Sequence, residues 1–302
     1  MNRKQFIRSG LGIASLLGSK QLGQVNFTKK SKHNFKLNYA PKFGTFKHHA
    51  GEDLMDQLDF FAEMGFKGLT DDGMWRRDVS TQDKIGRRLE KLNLKMGVIA
   101  GHTYSWDKPD LVKGKGMHLD SFLKDIKKTI EISKRVGAKW ITVMPGTLDM
   151  RVEMGYQTSN VIDALKRASE ILEPYGIVMV IEPVNRNYPG LFLSTISQAY
   201  AICKSVDSPA CKILNDLYHQ QITEGNLIHN INEAWDEIGI FQVGDNPGRM
   251  EPFTGEINFS NIFKLIYSKG YTGLLGMEHG NSIAGITGEK AVIDAYIRAD
   301  NF

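Results

Sequence analysis

Four short apolar runs in the second half of the chain each end on a side chain able to hold a cation or carry a proton. Val178-Met179-Val180-Ile181 runs into Glu182, Lys212-Ile213-Leu214-Asn215 into Asp216, Ile240-Phe241 into Gln242, and Leu274-Leu275-Gly276-Met277 into Glu278. The separations are 34, 26 and 36 residues, each the length of one strand followed by one helix. A carboxylate at the end of an apolar run is costly to bury unless it is paired or bound to a cation. Three gathered at one place repel one another, and a divalent metal is the obvious remedy. Oxygen donors throughout favour a hard ion, Mg²⁺ or Mn²⁺, over a zinc site built from His and Cys. Glu182, Asp216, Gln242 and Glu278 are therefore the candidate metal ligands. His219, three residues after Asp216, and Arg249, in the loop after Gln242, are candidate contacts to substrate oxygens. Asp245 and His279 stand in the same segments, open to either a functional or a structural role.

Such a set needs a scaffold that brings successive strand ends to one place. From residue 35 onward, short apolar runs alternate with amphipathic helical stretches. The candidate strands are 35–39, 68–70, 95–100, 140–144, 178–181, 212–215, 240–243 and 273–277. Leu54, Leu58, Phe61 and Met64, or Phe122, Ile126, Ile130 and Ile132, show the helical spacing between them. Glycines at 65, 137, 176, 239 and 270 stand where the preceding helices should stop. Eight strands each followed by a helix predict an α/β fold, a (β/α)₈ TIM barrel, whose reactive groups lie at the C-terminal strand ends. A doubly wound open sheet is the competitor, but the turn after the first strand, Ala40-Pro41-Lys42-Phe43-Gly44-Thr45-Phe46, lacks the glycine-rich phosphate signature. There is no P-loop and no G-x-S-x-G elbow.

Composition narrows the partners. The chain has 302 residues, 41% hydrophobic and 24% charged, which excludes disordered, collagen-like and coiled-coil classes. No apolar run approaches the roughly 18 residues that span a bilayer. The formal charge of +4 is unevenly placed: residues 1–34 hold seven Lys/Arg and no Asp or Glu, so the rest carries 31 bases against 34 acids. A nucleic-acid binder should carry its positive charge on the folded surface, so no nucleic-acid partner is expected. Arg3, Lys4 and Arg8 followed by the apolar 11–18 outline a secretory signal, and Arg3-Lys4-Gln5-Phe6-Ile7 resembles a degenerate twin-arginine leader. The expected organisation is a signal-like leader and linker over 1–34 and a single catalytic barrel over 35–302. The protein is then exported to a periplasm, or cytoplasmic if the leader is not functional. Cys203 and Cys211 fall in or beside apolar segments and read as two buried thiols rather than a bridge.

Several segments resemble the xylose isomerase-like barrel superfamily, most closely its hydroxypyruvate isomerase branch, across nearly all of 35–300. They are Ala40-Pro41-Lys42-Phe43-Gly44, Asp71-Asp72-Gly73-Met74-Trp75-Arg76-Arg77, Ile181-Glu182-Pro183-Val184-Asn185 and Asn215-Asp216-Leu217-Tyr218-His219. The stretch from Gln242 to Asn258, the most specific, and Met277-Glu278 complete the set. The resemblance implies that Glu182, Asp216, Gln242 and Glu278 are the metal ligands, Glu182 and Glu278 also the catalytic pair, and His219 and Arg249 the substrate-oxygen contacts. It implies isomerisation or epimerisation of a small hydroxy-ketone, hydroxy-keto acid or sugar, with proton transfer through a cis-enediolate held by the metal. A homo-oligomer is compatible, since this family often pairs barrels. Gln242 follows the hydroxypyruvate isomerase side, where sister epimerases usually place His. His279-Gly280-Asn281 departs from the Tyr-Lys-Pro common after the strand-8 glutamate, which bears on the substrate. The rivals are an endonuclease IV-like phosphodiesterase, which the charge distribution opposes, and a non-catalytic carbohydrate-binding barrel. An epimerase or lyase of keto-glycosides would use the same enediolate.

Overall fold

Backbone hydrogen bonds run sideways from strand to strand around a parallel barrel. The computed structural model describes residues 32–302, so the leader and nearly all of the linker expected over 1–34 lie outside the described residues. The strands are β1 (Asn38–Ala40), β2 (Gly68–Leu69), β3 (Lys95–Met96), β4 (Val98–Ala100), β5 (Trp140–Val143), β6 (Val178–Ile181), β7 (Cys211–Asp216), β8 (Ile238–Val243) and β9 (Leu274–Met277). A seven-stranded sheet has the order β1-β9-β8-β7-β6-β5-β4, and β2 pairs with β3, every pair parallel. The ring closes through a parallel bridge between Lys42 and Thr70 and through donation from the Lys67 N–H to the Tyr39 carbonyl and from the Asp71 N–H to the Val98 carbonyl. These are the eight staves expected of a TIM barrel, with the third stave interrupted at Gly97 to give β3 and β4.

The helices cover the outside. The longer ones are α2 (Leu54–Met64), α3 (Val79–Leu92), α4 (Met117–Val136), α5 (Met154–Leu172), α6 (Ile196–Val206), α9 (Phe259–Ser268) and α10 (Gly285–Ala299). Three short helices, α1 (Lys47–Ala50), α7 (Leu217–Thr223) and α8 (Leu227–Glu233), lie in connections. Asp53, Asp78, Thr195 and Asn258 cap four of the helices with side-chain oxygens that accept first-turn N–H groups. Gly65 and Gly137 end α2 and α4 in the left-handed conformation, as their spacing predicts. Gly239 corrects the expectation: it lies inside β8 rather than at a helix stop, and it is glycine because a Cβ there would meet the Trp140 ring at 2.6 Å. The 35–39 expectation also shifts, because the Asp300 carboxylate accepts the Lys36 and Leu37 N–H groups before strand pairing begins. Cys203 and Cys211 are free buried thiols, with their sulfurs 4.0 Å apart. Among the described residues no helix is long and apolar enough to cross a membrane.

Strand alternation sorts the side chains into two shells. Ile99, Ile141, Met179, Ile181, Ile213, Phe241 and Leu275 belong to the large core that the helices share. Val98, Val180, Leu214 and Ile240, with Trp140 against them, form a separate apolar cluster within the barrel. That plug is the floor of the site. The next inward positions are two residues further along: Ala100, Thr142, Glu182, Asp216 and Gln242.

Candidate metal and substrate site

Ala100, Thr142, Glu182, Gln242 and Glu278 line one cavity of about 120 Å³ above the apolar plug, with Asp72, Tyr104, Trp106, His219 and Arg249 completing its wall. Asp216 stands at its edge. Its side chain is fully buried, and it shares with Glu182 and His219 a set of ligand atoms all within 4.8 Å of one another. The parallel register sets Asp216 beside Gln242. All six expected site residues are thus gathered at one barrel mouth.

Each is held by its local structure. Asp216 ends β7 and caps α7: one oxygen accepts the Tyr218 N–H at 2.8 Å and, more distantly, that of His219. Its other oxygen accepts from Arg249 Nη2 at 2.9 Å. Arg249 Nε donates to the Glu278 carbonyl at 3.2 Å, and the Glu278 N–H donates to Val243, so β8, its following loop and β9 lock together at the rim. Lys42, just past β1, reaches Glu278 Oε1 at 3.4 Å. Burial drives the Glu182 carboxyl well above its ordinary range, and Asp216, Asp72 and Glu278 push it further against the pull of Arg249. Asp72 opens to the cavity but is crowded by protein; burial, then Glu278 and Asp71, raise it to about 7. Tyr104 rises to about 12, again chiefly by burial.

The donor set fits a divalent cation. Four carboxyl groups (Asp72, Glu182, Asp216 and Glu278) crowd around two cationic side chains, Lys42 and Arg249, and burial with mutual repulsion raises Glu182 and Asp72, a strain that a bound dication would relieve. Gln242 Oε1 is buried with no hydrogen-bond partner among the described residues. An acceptor left in that state costs about 1–3 kcal/mol, and ligation would satisfy it. His219 could be counted as a ligand on distance alone, since Nε2 lies 3.6 Å from both Glu182 and Asp216. Its hydrogen bonds argue otherwise. Nδ1 faces the Asn185 backbone N–H and, at 2.8 Å, the Asn185 side-chain amide nitrogen; the Asn185 side-chain oxygen Oδ1 is committed to the Asn187 N–H. Nδ1 is therefore an acceptor, and the ring proton sits on Nε2, aimed at the carboxylates. Burial lowers the His219 pKa and keeps the ring neutral. A neutral Nε2–H suits a substrate oxygen better than a metal.

Two ambiguous residues resolve as structural. His279 is buried, stacks on Tyr296, and places Nε2 3.0 Å from the Tyr296 hydroxyl and Nδ1 2.7 Å from the Gly280 carbonyl; burial lowers it to about 4. Asp245 accepts the N–H groups of Asn246, Gly255 and Ile257, so it shapes the loop that carries Arg249. Asp245→Ala is expected to lower unfolding free energy by about 2–3 kcal/mol and to weaken turnover through Arg249. Urea denaturation checks this, and an unchanged midpoint would contradict it. Sequence reasoning missed Lys42, Asp72, Thr142, Tyr104 and Trp106. The strand-end rule that found Glu182 and Glu278 would have reached Asp72, just past the expected 68–70 strand, whereas Thr142 lies inside the strand expected over 140–144.

Comparison with known proteins now decides the lineage. Residues 58–296 match the profile of the xylose isomerase-like TIM barrel. The chain belongs to that family. Hydroxypyruvate isomerase of Escherichia coli K12 is 32% identical over 161 residues, 53% of this chain and 62% of that protein. A 2-oxo-tetronate isomerase of Cupriavidus necator is 31% identical over 159 residues, 52% of this chain and 61% of the relative. The matches thus span less than two thirds of these relatives. Among solved structures, an AP endonuclease family 2 protein from Brucella melitensis superimposes with a TM-score of 0.72 at 23% identity, over 83% of this chain and 96% of the other. The 3-keto-D-glucoside 4-epimerase of E. coli gives 0.71 at 20%, over 89% and 100%. At such identities these two speak for the xylose isomerase-like fold alone.

Proposed function

We propose that this xylose isomerase-like barrel is a divalent-metal-dependent isomerase or epimerase of a small hydroxy-ketone or sugar. The observation that carries the reading is the pairing of Glu182 and Glu278 in one cavity with crowded carboxyl groups and an unpartnered Gln242 oxygen. The hydroxypyruvate and 2-oxo-tetronate isomerase relatives support it. Glu182, Asp216, Gln242 and Glu278 would hold Mg²⁺ or Mn²⁺, which when bound supplies Lewis-acid polarisation of a carbonyl oxygen. One glutamate removes the proton from the carbon beside the carbonyl. The other delivers a proton to the neighbouring carbon, or to the opposite face for epimerisation. His219 Nε2–H and the Arg249 guanidinium donate to the substrate oxygens as charge builds on them. Lys42 orients Glu278. The apolar plug beneath and Tyr104 and Trp106 above limit water around the enediolate.

The decisive experiment is NMR of deuterium uptake from D₂O into a panel of ketoses, keto acids and keto-glycosides, with Mn²⁺ present and after chelation. Metal-dependent exchange of one C–H supports the reading. Binding of a sugar without any exchange would favour a non-catalytic barrel. Metal binding has its own readout: Mn²⁺ at a hundredfold excess over its Kd should stabilise the chelated protein by about 2.7 kcal/mol, and Gln242→Leu should shrink that gain. No thermal shift with Mn²⁺ or Mg²⁺ would remove the metal.

A further inference from the structure

The 120 Å³ reaction cavity is small beside the roughly 300–1,000 Å³ usual for ligand pockets. It does not end blindly. A second cavity of about 370 Å³ adjoins it and shares Asp72, Ala100, Tyr104 and Trp106 as common wall. Its far side is built from Trp75, Arg76 and His102. Aromatic rings run across the mouth: Tyr104 to Trp106 at 5.6 Å, Trp106 to Tyr188 at 5.5 Å, and Tyr188 to His219 at 6.2 Å. Trp106 and Tyr188 remain 48% and 45% exposed, which is large apolar area to leave in water.

The polar groups of this second cavity are chosen for a neutral ligand. Asp72 in the shared wall is an acid and Arg76 on the far side a base, so the cavity does not present a cluster of one charge sign. His102 is 2% exposed, and its Nε2 accepts the Met144 N–H at 3.1 Å, which leaves the ring proton on Nδ1. Nδ1 has no hydrogen-bond partner among the described residues. A buried donor in want of an oxygen, an acid and a guanidinium that can each bind hydroxyls, and flat rings that accept C–H faces together describe one ligand class. That class is the pyranose ring.

We infer that the substrate carries an intact saccharide ring beyond the carbons that react, and that this ring binds the second cavity against Trp106. The reacting unit is then an oxidised or keto sugar joined to another ring, rather than a free three-carbon keto acid. This rests on the isomerase or epimerase reading for its reaction but is testable without turnover.

Calorimetric titration of the full chain with Mn²⁺ would compare glucose with maltose, cellobiose and trehalose, none of which needs to react. At least one disaccharide should bind roughly tenfold more tightly than glucose, and Trp106→Ala should lose about that factor with an unchanged circular dichroism spectrum. Equal binding of glucose and every disaccharide, an unaffected Trp106→Ala protein, or tighter binding of glucose 6-phosphate would each overturn the inference. Deuterium exchange into small ketoses with no preference for a second ring would overturn it and leave the reaction class standing. Ring binding without exchange into any substrate would do the reverse.

Discussion

Glu182→Gln is expected to lower turnover by about 10²–10⁴-fold, the worth of a positioned acid–base group, while making the metal-free protein more stable. Glu182 sits with Asp216, Asp72 and Glu278 around it, and burial together with those charges drives its carboxyl well above the ordinary value of 4.5. A folded state that holds a proton the unfolded chain releases loses stability as pH climbs from about 4.5 toward the raised value. Glutamine keeps the shape without the charge, so it should flatten that slope and raise the neutral-pH melting point of the chelated protein by about 2 °C or more, the effect of roughly 1 kcal/mol in a chain of this size. Mn²⁺ should stabilise the variant less than the parent, because one ligand is gone. Scanning calorimetry with and without chelator, beside steady-state rates, reads all three quantities. Turnover within threefold of the parent would take Glu182 out of the chemistry, and a lower chelated melting point would contradict the repulsion argument.

The barrel and the paired glutamates were legible because both obey short-range rules. Strand alternation carries Val180 into the plug and Glu182 into the cavity two residues later, and the same step takes Leu214 to Asp216 and Ile240 to Gln242. The strand-to-helix period brings those steps to one rim. What stayed hidden depends on contacts between loops. Tyr104 and Trp106 stand two residues apart in one loop, but Tyr188, which continues the aromatic wall, lies 82 residues further on with no spacing that predicts it. Gly239 looked like a helix stop because the ring of Trp140, far away in sequence, is invisible without coordinates. His279 and Asp245 could not be separated from catalytic groups by type, since only their partners, Tyr296 and three backbone N–H groups, reveal a structural duty. The protonation pattern of His219 likewise hangs on Asn185 and Asn187, which no motif marks as its partners.

Arg249→Met should cost about 3 kcal/mol of unfolding free energy in the chelated protein, the low end for breaking a buried pair. Asp216 is fully buried and keeps only its backbone donors and the more distant His219 Nε2, 3.6 Å off, once Arg249 Nη2, 2.9 Å away, is removed. Arg249 itself is 30% accessible, so some water can replace it, which is why the low end applies. The same substitution removes a donor to the developing oxyanion and should lower kcat/KM by about 10²–10³-fold. Arg249→Lys should recover part of the stability but little of the rate, since an ammonium cannot reproduce the fork that spans Asp216 and the Glu278 carbonyl. Metal dependence separates this account from simple loss of packing. With its guanidinium gone, Asp216 is left unpaired beside Glu182, so Mn²⁺ should stabilise Arg249→Met more than it stabilises the parent chain. An equal gain from Mn²⁺ in both proteins would place Asp216 outside the cation's reach and leave Glu182, Gln242 and Glu278 as the remaining ligand set.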